Sequence, residues 1–230
     1  MPGNISSDNN FLSCPAGHTS GDHSRRLRSL TSSLTESAIQ MLQRENLIYA
    51  IPLKVKSLPA AVKLPGFLSP SHCRRLISLA QRKGLNSIES DRYGKASTTT
   101  ACRLLPEDDK LIYKRLAHRI TELNAELWRL SLAGIYEPVN VLCYRPADWI
   151  RPHIDADYRV PDPSKLSCSV QLVPRGSFSG GVLTVAETES FDLDIGDAVV
   201  FPSHMLHTVS PIKSGQRFAL AAWLHGPPFQ

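Results

Sequence analysis

The feature that most constrains this chain is a short run, Trp149-Ile-Arg-Pro-His-Ile-Asp155, which carries a histidine and an aspartate two positions apart. In an extended segment, residues i and i+2 project to the same side. His153 and Asp155 can therefore grip one ion, but a single strand cannot supply a whole triangular face of ligands. A third ligand must come from a distant strand folded back against this one. Phe201-Pro-Ser-His-Met-Leu-His207 supplies two candidates. His204 competes for the place, and His207 is preferred because it lies closer to the following strand. Two imidazoles and one carboxylate on one face of a metal, with the other positions open, form the donor set of non-haem Fe(II) oxygenases.

Arg217 extends the pattern. It enters an otherwise apolar run, Phe218-Ala-Leu-Ala-Ala-Trp223. A metal-bound 2-oxoacid with a second carboxylate needs a fixed cation beyond the metal, and a guanidinium can meet a carboxylate with two parallel hydrogen bonds. Tyr144, on the strand before His153, adds a hydroxyl. Together these residues predict a site for Fe(II), 2-oxoglutarate and O₂. His153, Asp155 and His207 are its metal ligands and catalytic centre, and Arg217 and Tyr144 bind the cosubstrate. His18, His23, His72, His118 and His225 fit no such geometry.

Along the chain, residues 1–34 are rich in Ser, Asn, Gly and Asp, show no apolar period and read as flexible. A short helix is expected from Thr35 to near Asn46. Residues 1–60 are taken as an N-terminal extension and 61–230 as the functional domain. Val62 to Phe67 reads as a strand broken at Pro65-Gly66. Ser69-Pro70 is a helix start, with Ser as the cap and Pro at the first helical position, and Gly84 is its stop. A second helix is expected from Pro106 to Gly134, with Leu116, Ile120, Leu123, Leu127 and Leu130 on one face. Beyond Glu137 the texture changes to short strands: Val139–Tyr144, Leu166–Val173, Val182–Val185, Ala198–Phe201, Thr208–Pro211 and Phe218–Leu224. Two helices followed by many short strands predict an α+β fold with a small barrel or jelly roll. Gln171 either lines the barrel's pocket or faces solvent. Asp157, Tyr158 and Arg159 either meet substrate or are solvated loop.

Composition narrows the partners. The net charge is +5 and the basic residues are scattered, so charge alone does not select nucleic acid. Five cysteines without a Cys-x-x-Cys pair argue against a disulfide framework or a structural zinc cluster. The longest apolar run, Phe218 to Leu224, is too short to span a bilayer. The polar N-terminus lacks the apolar core of a secretory signal, so the expected compartment is the cytoplasm.

The residues from about 61 to 228 resemble the prolyl 4-hydroxylase-type branch of the 2-oxoglutarate/Fe(II) dioxygenases, and most of all the bacterial PKHD-type hydroxylases. Phe67-Leu-Ser-Pro-Ser-His-Cys73 is similar to that family's entry into its first domain helix. Tyr144 matches a family tyrosine near the cosubstrate. Leu166-Ser-Cys-Ser-Val-Gln-Leu172 with Phe178-Ser-Gly-Gly-Val-Leu183 resembles its central hairpin. Gly196-Asp-Ala-Val-Val-Phe-Pro202 resembles the strand before the distal histidine, and His207-Thr-Val-Ser-Pro211 with Arg217 and Trp223 resembles its closing motif. Animal collagen prolyl hydroxylases usually carry lysine where this chain has Arg217. The resemblance implies a double-stranded β-helix (jelly-roll, cupin-like) core with two supporting helices on its N-terminal side. It implies hydroxylation of an unactivated C–H bond, coupled to decarboxylation of 2-oxoglutarate to succinate, with ascorbate as a stimulant. Asp155 sets the chain apart from the related halogenases, which lack that carboxylate. The substrate is a prolyl or lysyl side chain in a peptide, a free amino acid or another small molecule, selected by the loops Asn86–Ala101 and Arg151–Ser164. The competing classes are a non-catalytic, cupin-like metal-binding or sensor module and a nucleic-acid demethylase of the same chemistry.

Overall fold

Ser69 and Asp109 set the two helices. Ser69 sits in extended backbone and its hydroxyl accepts from the His72 amide, so α1 runs Pro70–Lys83 with proline in its first turn. Gly84, at φ 99°, stops it where a side chain would be strained, and its amide returns to the Ala80 carbonyl. Asp109 accepts from the amides of Leu111 and Ile112, and α2 runs Lys110–Glu126. This helix is shorter at both ends than the periodicity predicts. Pro106 to Asp108 form a turn instead, because the Asp108 carboxylate accepts from the Leu105 amide while Asp109 takes the cap. At the far end Asn124 holds both the amide and the carbonyl of Leu130, and Arg129 turns to φ 52°. The apolar positions Leu127 and Leu130 still pack on the core, but from irregular backbone.

The computed structural model describes residues 58–87, 99–187 and 189–228. The expected helix over 35–46, the stretch 1–34 and most of the loop 86–101 lie outside the described residues. What is described belongs to one unit spanning Ser57–Gln230. Its strands in order are β1 (Val62–Leu64), β2 (Asn86–Ser87), β3 (Thr100–Leu104), β4 (Val139–Tyr144), β5 (Ile150–His153), β6 (Ser164–Gln171), β7 (Phe178–Gly180), β8 (Leu183–Val185), β9 (Glu189–Ser190), β10 (Ala198–Pro202), β11 (His207–Val209), β12 (Ile212–Gly215) and β13 (Arg217–His225). All pairings are antiparallel. A seven-stranded major sheet has the order β1-β10-β6-β13-β4-β3-β2, and a four-stranded minor sheet has the order β5-β11-β8-β9.

The two faces of the major sheet do different work, and the alternation within each strand decides which residue goes where. Leu166, Cys168 and Val170 on β6, Val139, Val141 and Cys143 on β4, and Phe218, Leu220, Ala222 and Leu224 on β13 face the helices. They pack there with Leu76 of α1 and with Ile112, Leu116 and Ile120 of α2. The intervening residues face the minor sheet. Leu142, Tyr144, Val199, Phe201 and Ala219 meet Leu183, Val185 and Val209 in a second cluster. This inner face is also where the polar residues of the central strands point. Cys73, Cys102, Cys143 and Cys168 are free and buried, as expected from their number and spacing. No helix among the described residues is long and apolar enough to cross a membrane.

Candidate active site

Neighbouring strands of the minor sheet bring the two histidines together. His153, the last residue of β5, and His207, the first of β11, are direct cross-strand partners. Side chains opposite each other on antiparallel strands share a face, and these rings lie with centroids 4.1 Å apart. Asp155, just past β5, completes the group. Its Oδ1 lies 3.5 Å from His153 Nε2 and its Oδ2 lies 3.4 Å from His207 Nε2. One ligand atom from each residue falls within 4.8 Å of the other two, the one such group able to hold a metal among the described residues.

Both rings are held in the tautomer a metal needs. His153 Nδ1 is 2.9 Å from the Arg151 carbonyl, and His207 Nδ1 is 3.0 Å from the Met205 carbonyl. A carbonyl only accepts, so Nδ1 carries the hydrogen in each ring, and Nε2 is left as a lone pair aimed at the shared point. Phe201, from the major sheet, packs against His207 with ring centroids 4.7 Å apart.

The charges follow from burial and contact. Burial is the largest influence on Asp155 and pushes its pKa up. The His153 contact, the charges of both imidazoles and a hydrogen bond from Ser167 outweigh it and bring the value down to about 2. For His153, burial works downward, but the contact with Asp155 raises the pKa on balance. For His207, burial prevails over the Asp155 charge and lowers it. His207 is thus the more readily neutral of the two, and neutral imidazole is the form that binds metals.

Two serines support the carboxylate. Ser167 Oγ donates to Asp155 Oδ2 at 2.6 Å and lies 2.9 Å from Ser203 Oγ. The Ser203 carbonyl accepts from the amides of both Asp155 and Ala156, fixing the backbone that presents the carboxylate. Neither serine stands out from the sequence as a site residue. The available signal is the polar alternation Ser167, Ser169, Gln171 within a central strand, which requires an interior that is not wholly apolar.

Arg217 and Tyr144 are also brought together. They are cross-strand partners on β13 and β4, with the guanidinium carbon 5.0 Å from the phenol ring centroid. Both are almost fully buried, at 2% and 1% exposed. Arg217 Nε donates to Gln171 Oε1 at 3.1 Å, and Gln171 Nε2 donates to the Val173 carbonyl, so Gln171 lines the interior rather than facing solvent. Arg217 Nη1 is buried with no hydrogen-bond partner among the described residues. A buried, unpaired guanidinium nitrogen costs a kcal/mol or more, and a carboxylate there removes that cost. Space for the side chain depends on Gly181. At φ +60°, a Cβ on this residue would come within 3.1 Å of Arg217 Cδ and 2.4 Å of Ile212 Cδ1.

Other expected residues fall elsewhere. His204 is exposed and does not join the cluster. Arg159 pairs with Asp157 at 3.0 Å, and Tyr158 is exposed. His225 is buried against Tyr136 and within reach of Glu137, and His118 is exposed beside Glu122.

Residues 139–225 match the sequence profile of the 2OG-Fe(II) oxygenase superfamily, a span that includes every residue of this site. This segment is similar to that superfamily. A PKHD-type hydroxylase of Hyphomonas neptunium is 36% identical over 98 residues, covering 39% of this chain and 43% of that one. A PKHD-type hydroxylase of Cupriavidus pinatubonensis is 33% identical over 126 residues, covering 51% and 55%. The chain thus spans about half the length of the curated relatives it matches. Among solved structures, a viral collagen prolyl hydroxylase from Paramecium bursaria Chlorella virus-1 superposes with a TM-score of 0.60 at 22% identity, over 73% of this chain and 97% of that one. A Pseudomonas putida prolyl-4-hydroxylase superposes with a TM-score of 0.61 at 19% identity, over 74% and 94%. At these identities the likeness shows a shared fold. The donor set in the matched segment fits an Fe(II) ion, and the unpaired Arg217 Nη1 fits a dicarboxylate.

Proposed function

We propose that the chain is an Fe(II)- and 2-oxoglutarate-dependent hydroxylase, built on a double-stranded β-helix within residues 61–230. His153 Nε2, one oxygen of Asp155 and His207 Nε2 hold the metal. Arg217, steadied by Gln171 and stacked on Tyr144, receives the far carboxylate of the cosubstrate. The observation that carries the reading is the convergence of the three ligand atoms within 4.8 Å, with both Nδ1 atoms already committed to carbonyls.

The bound metal, cosubstrate and O₂ supply the oxidation. One oxygen atom ends in the substrate's new hydroxyl, the other in succinate, and the lost carboxyl leaves as CO₂. The protein's own residues do the rest. The carbonyls of Arg151 and Met205 hold the imidazoles in register. Ser167 holds Oδ2 of Asp155, which leaves Oδ1 for the metal. Phe201 beside His207, and Tyr144 and Leu142 toward Arg217, line the site with apolar surface and exclude water. The substrate is a small molecule or a peptide side chain.

The test is succinate formation by Fe(II)-loaded protein with 2-oxoglutarate and ascorbate under air, with Asp155→Ala as the control. Wild-type protein should release succinate slowly without substrate and faster with one. The variant should bind iron weakly and release none. Turnover by Asp155→Ala equal to wild type would refute the assignment.

A further inference from the structure

A buried arginine ordinarily pairs with a carboxylate, because an unpaired charge held away from water is costly. Arg217 is almost fully buried, yet no carboxylate among the described residues pairs with it. Its neighbours are the Tyr144 ring and the amide of Gln171, which is itself 1% exposed. Gln171 faces the interior from β6, opposite Ala219, which lies two residues from Arg217 and so on the same face of β13. Its amide can stand only one way round. The Arg217 Nε–H only donates and the Val173 carbonyl only accepts, so Oε1 meets Nε at 3.1 Å and Nε2 meets the carbonyl at 3.0 Å. Both ends of the side chain are committed. The guanidinium is fixed through Nε, while Nη1 stays unpaired.

The backbone beneath this side chain is pinned as well. The Gln171 amide donates to the Asp197 carbonyl at 2.9 Å, and its carbonyl accepts from the Gly196 amide at 2.8 Å. Gly196 stands at φ +85°, and a Cβ on it would lie 2.0 Å from the Leu68 oxygen. Its carbonyl accepts from the Leu68 amide at 2.9 Å. The Asp197 carboxylate takes the Gly66 amide and pairs with Lys63. Gln171 therefore rests on the turn before β10, and that turn is locked onto the chain entering α1.

Resting on the oxygenase reading above, we propose that Gln171 is the positioning residue that makes the site selective for a 2-oxoacid with a second carboxylate. A neutral acceptor orients Arg217 without neutralising it, so the whole positive charge is left for the incoming anion. A glutamate at this position would neutralise the guanidinium from inside and turn an acceptor toward the Val173 carbonyl. An apolar side chain would leave the charge but release Nε, so that Nη1 is no longer aimed.

The test uses full-length protein loaded with Mn(II) without oxygen, titrated calorimetrically with 2-oxoglutarate and with 2-oxobutyrate. The second probe keeps the 2-oxoacid head and lacks the far carboxylate. Wild type should bind 2-oxoglutarate at least about tenfold more tightly, the effect of one charge-assisted hydrogen bond. Gln171→Glu should weaken 2-oxoglutarate at least about tenfold by the same arithmetic, and leave 2-oxobutyrate within about twofold. Gln171→Met should weaken 2-oxoglutarate less, by roughly 3- to 10-fold, the range for one lost neutral hydrogen bond. Equal losses for the two oxoacids would show a merely structural residue. An unchanged preference in Gln171→Glu would show that the neutral amide is irrelevant. Either result overturns the proposal. A measurement on wild type covers variants that do not fold. In metal-free protein isotope-labelled at arginine nitrogen, the Nε–H signal missing from Arg217→Lys should be protected from solvent exchange before any ligand is added. Protection that arises only with Zn(II) and 2-oxoglutarate would also overturn it. Wild-type protein that binds both oxoacids equally, or neither, would instead overturn the reading of Arg217 as the cosubstrate anchor, on which the role of Gln171 rests.

Discussion

Removing one buried hydroxyl should loosen the metal without touching a ligand. Ser167 donates to Asp155 at 2.6 Å, and is itself 2% exposed. A hydrogen bond to a charged group contributes about 1.5–3 kcal/mol, and at 1.4 kcal/mol per decade that is roughly 10- to 100-fold in affinity. Loss of a partner that orients a metal ligand costs about the same, ~10–100-fold. In Ser167→Ala the freed carboxylate can rotate, and Ser203 Oγ loses its neighbour at 2.9 Å. Mn(II) binding, read as free ion by electron paramagnetic resonance, should weaken by about 10- to 100-fold on that arithmetic. Ser167→Thr keeps the hydroxyl and should recover part of the loss. Thermal melts of metal-free protein separate this from unfolding. A Mn(II) affinity within about twofold of wild type in a folded Ser167→Ala variant, well below the tenfold floor, would refute the idea that the serine positions the carboxylate.

Two further outcomes follow from neighbouring features. Gly181→Ala places a methyl against Ile212 and Arg217 at a positive φ, so it should destabilise the fold by about 1–3 kcal/mol and weaken 2-oxoglutarate binding in the same variant, read by melts and by cosubstrate titration. Asp109 is buried, which pushes its pKa up, but the hydrogen bonds from Arg75, His72 and the Ile112 amide bring it below the ordinary 3.8 on balance. A depressed folded pKa stabilises above the unfolded value and loses that contribution as pH falls from there through the folded value. Asp109→Asn keeps a helix cap but loses the charge. It should therefore be less stable at pH 7 by about 1–3 kcal/mol, a range reduced for the exposure of Arg75, and the gap to wild type should narrow as pH falls from the ordinary 3.8 through the lowered folded value. A gap that persists unchanged in acid would show that the cap geometry, and not the charge, is responsible.

Much of the fold was legible because its signals are local. Ser69-Pro70 and Gly84 mark a helix through backbone chemistry that needs no tertiary context. The alternation in β4, β6 and β13 is a property of the extended chain itself. The second helix stops short of its apolar period at both ends for the opposite reason. Its apolar period continues to Leu130, but Asp109 caps the amides of Leu111 and Ile112 while Asn124 takes the amide and carbonyl of Leu130, so side-chain hydrogen bonds decide the ends.

At the site, the sequence alone determined the chemistry on offer: a His-x-Asp pair, a distant histidine and an arginine entering an apolar strand. It could not choose between His204 and His207 by physical necessity. Cross-strand register made that choice, because only His207 stands opposite His153. Register also joined Arg217 to Tyr144. Ser167 and Ser203 acquired their place beside Asp155 in the same way. A residue's type and its own strand's alternation are written locally, but which strands become neighbours, and at what offset, is settled only when the two faces of the major sheet are buried at once.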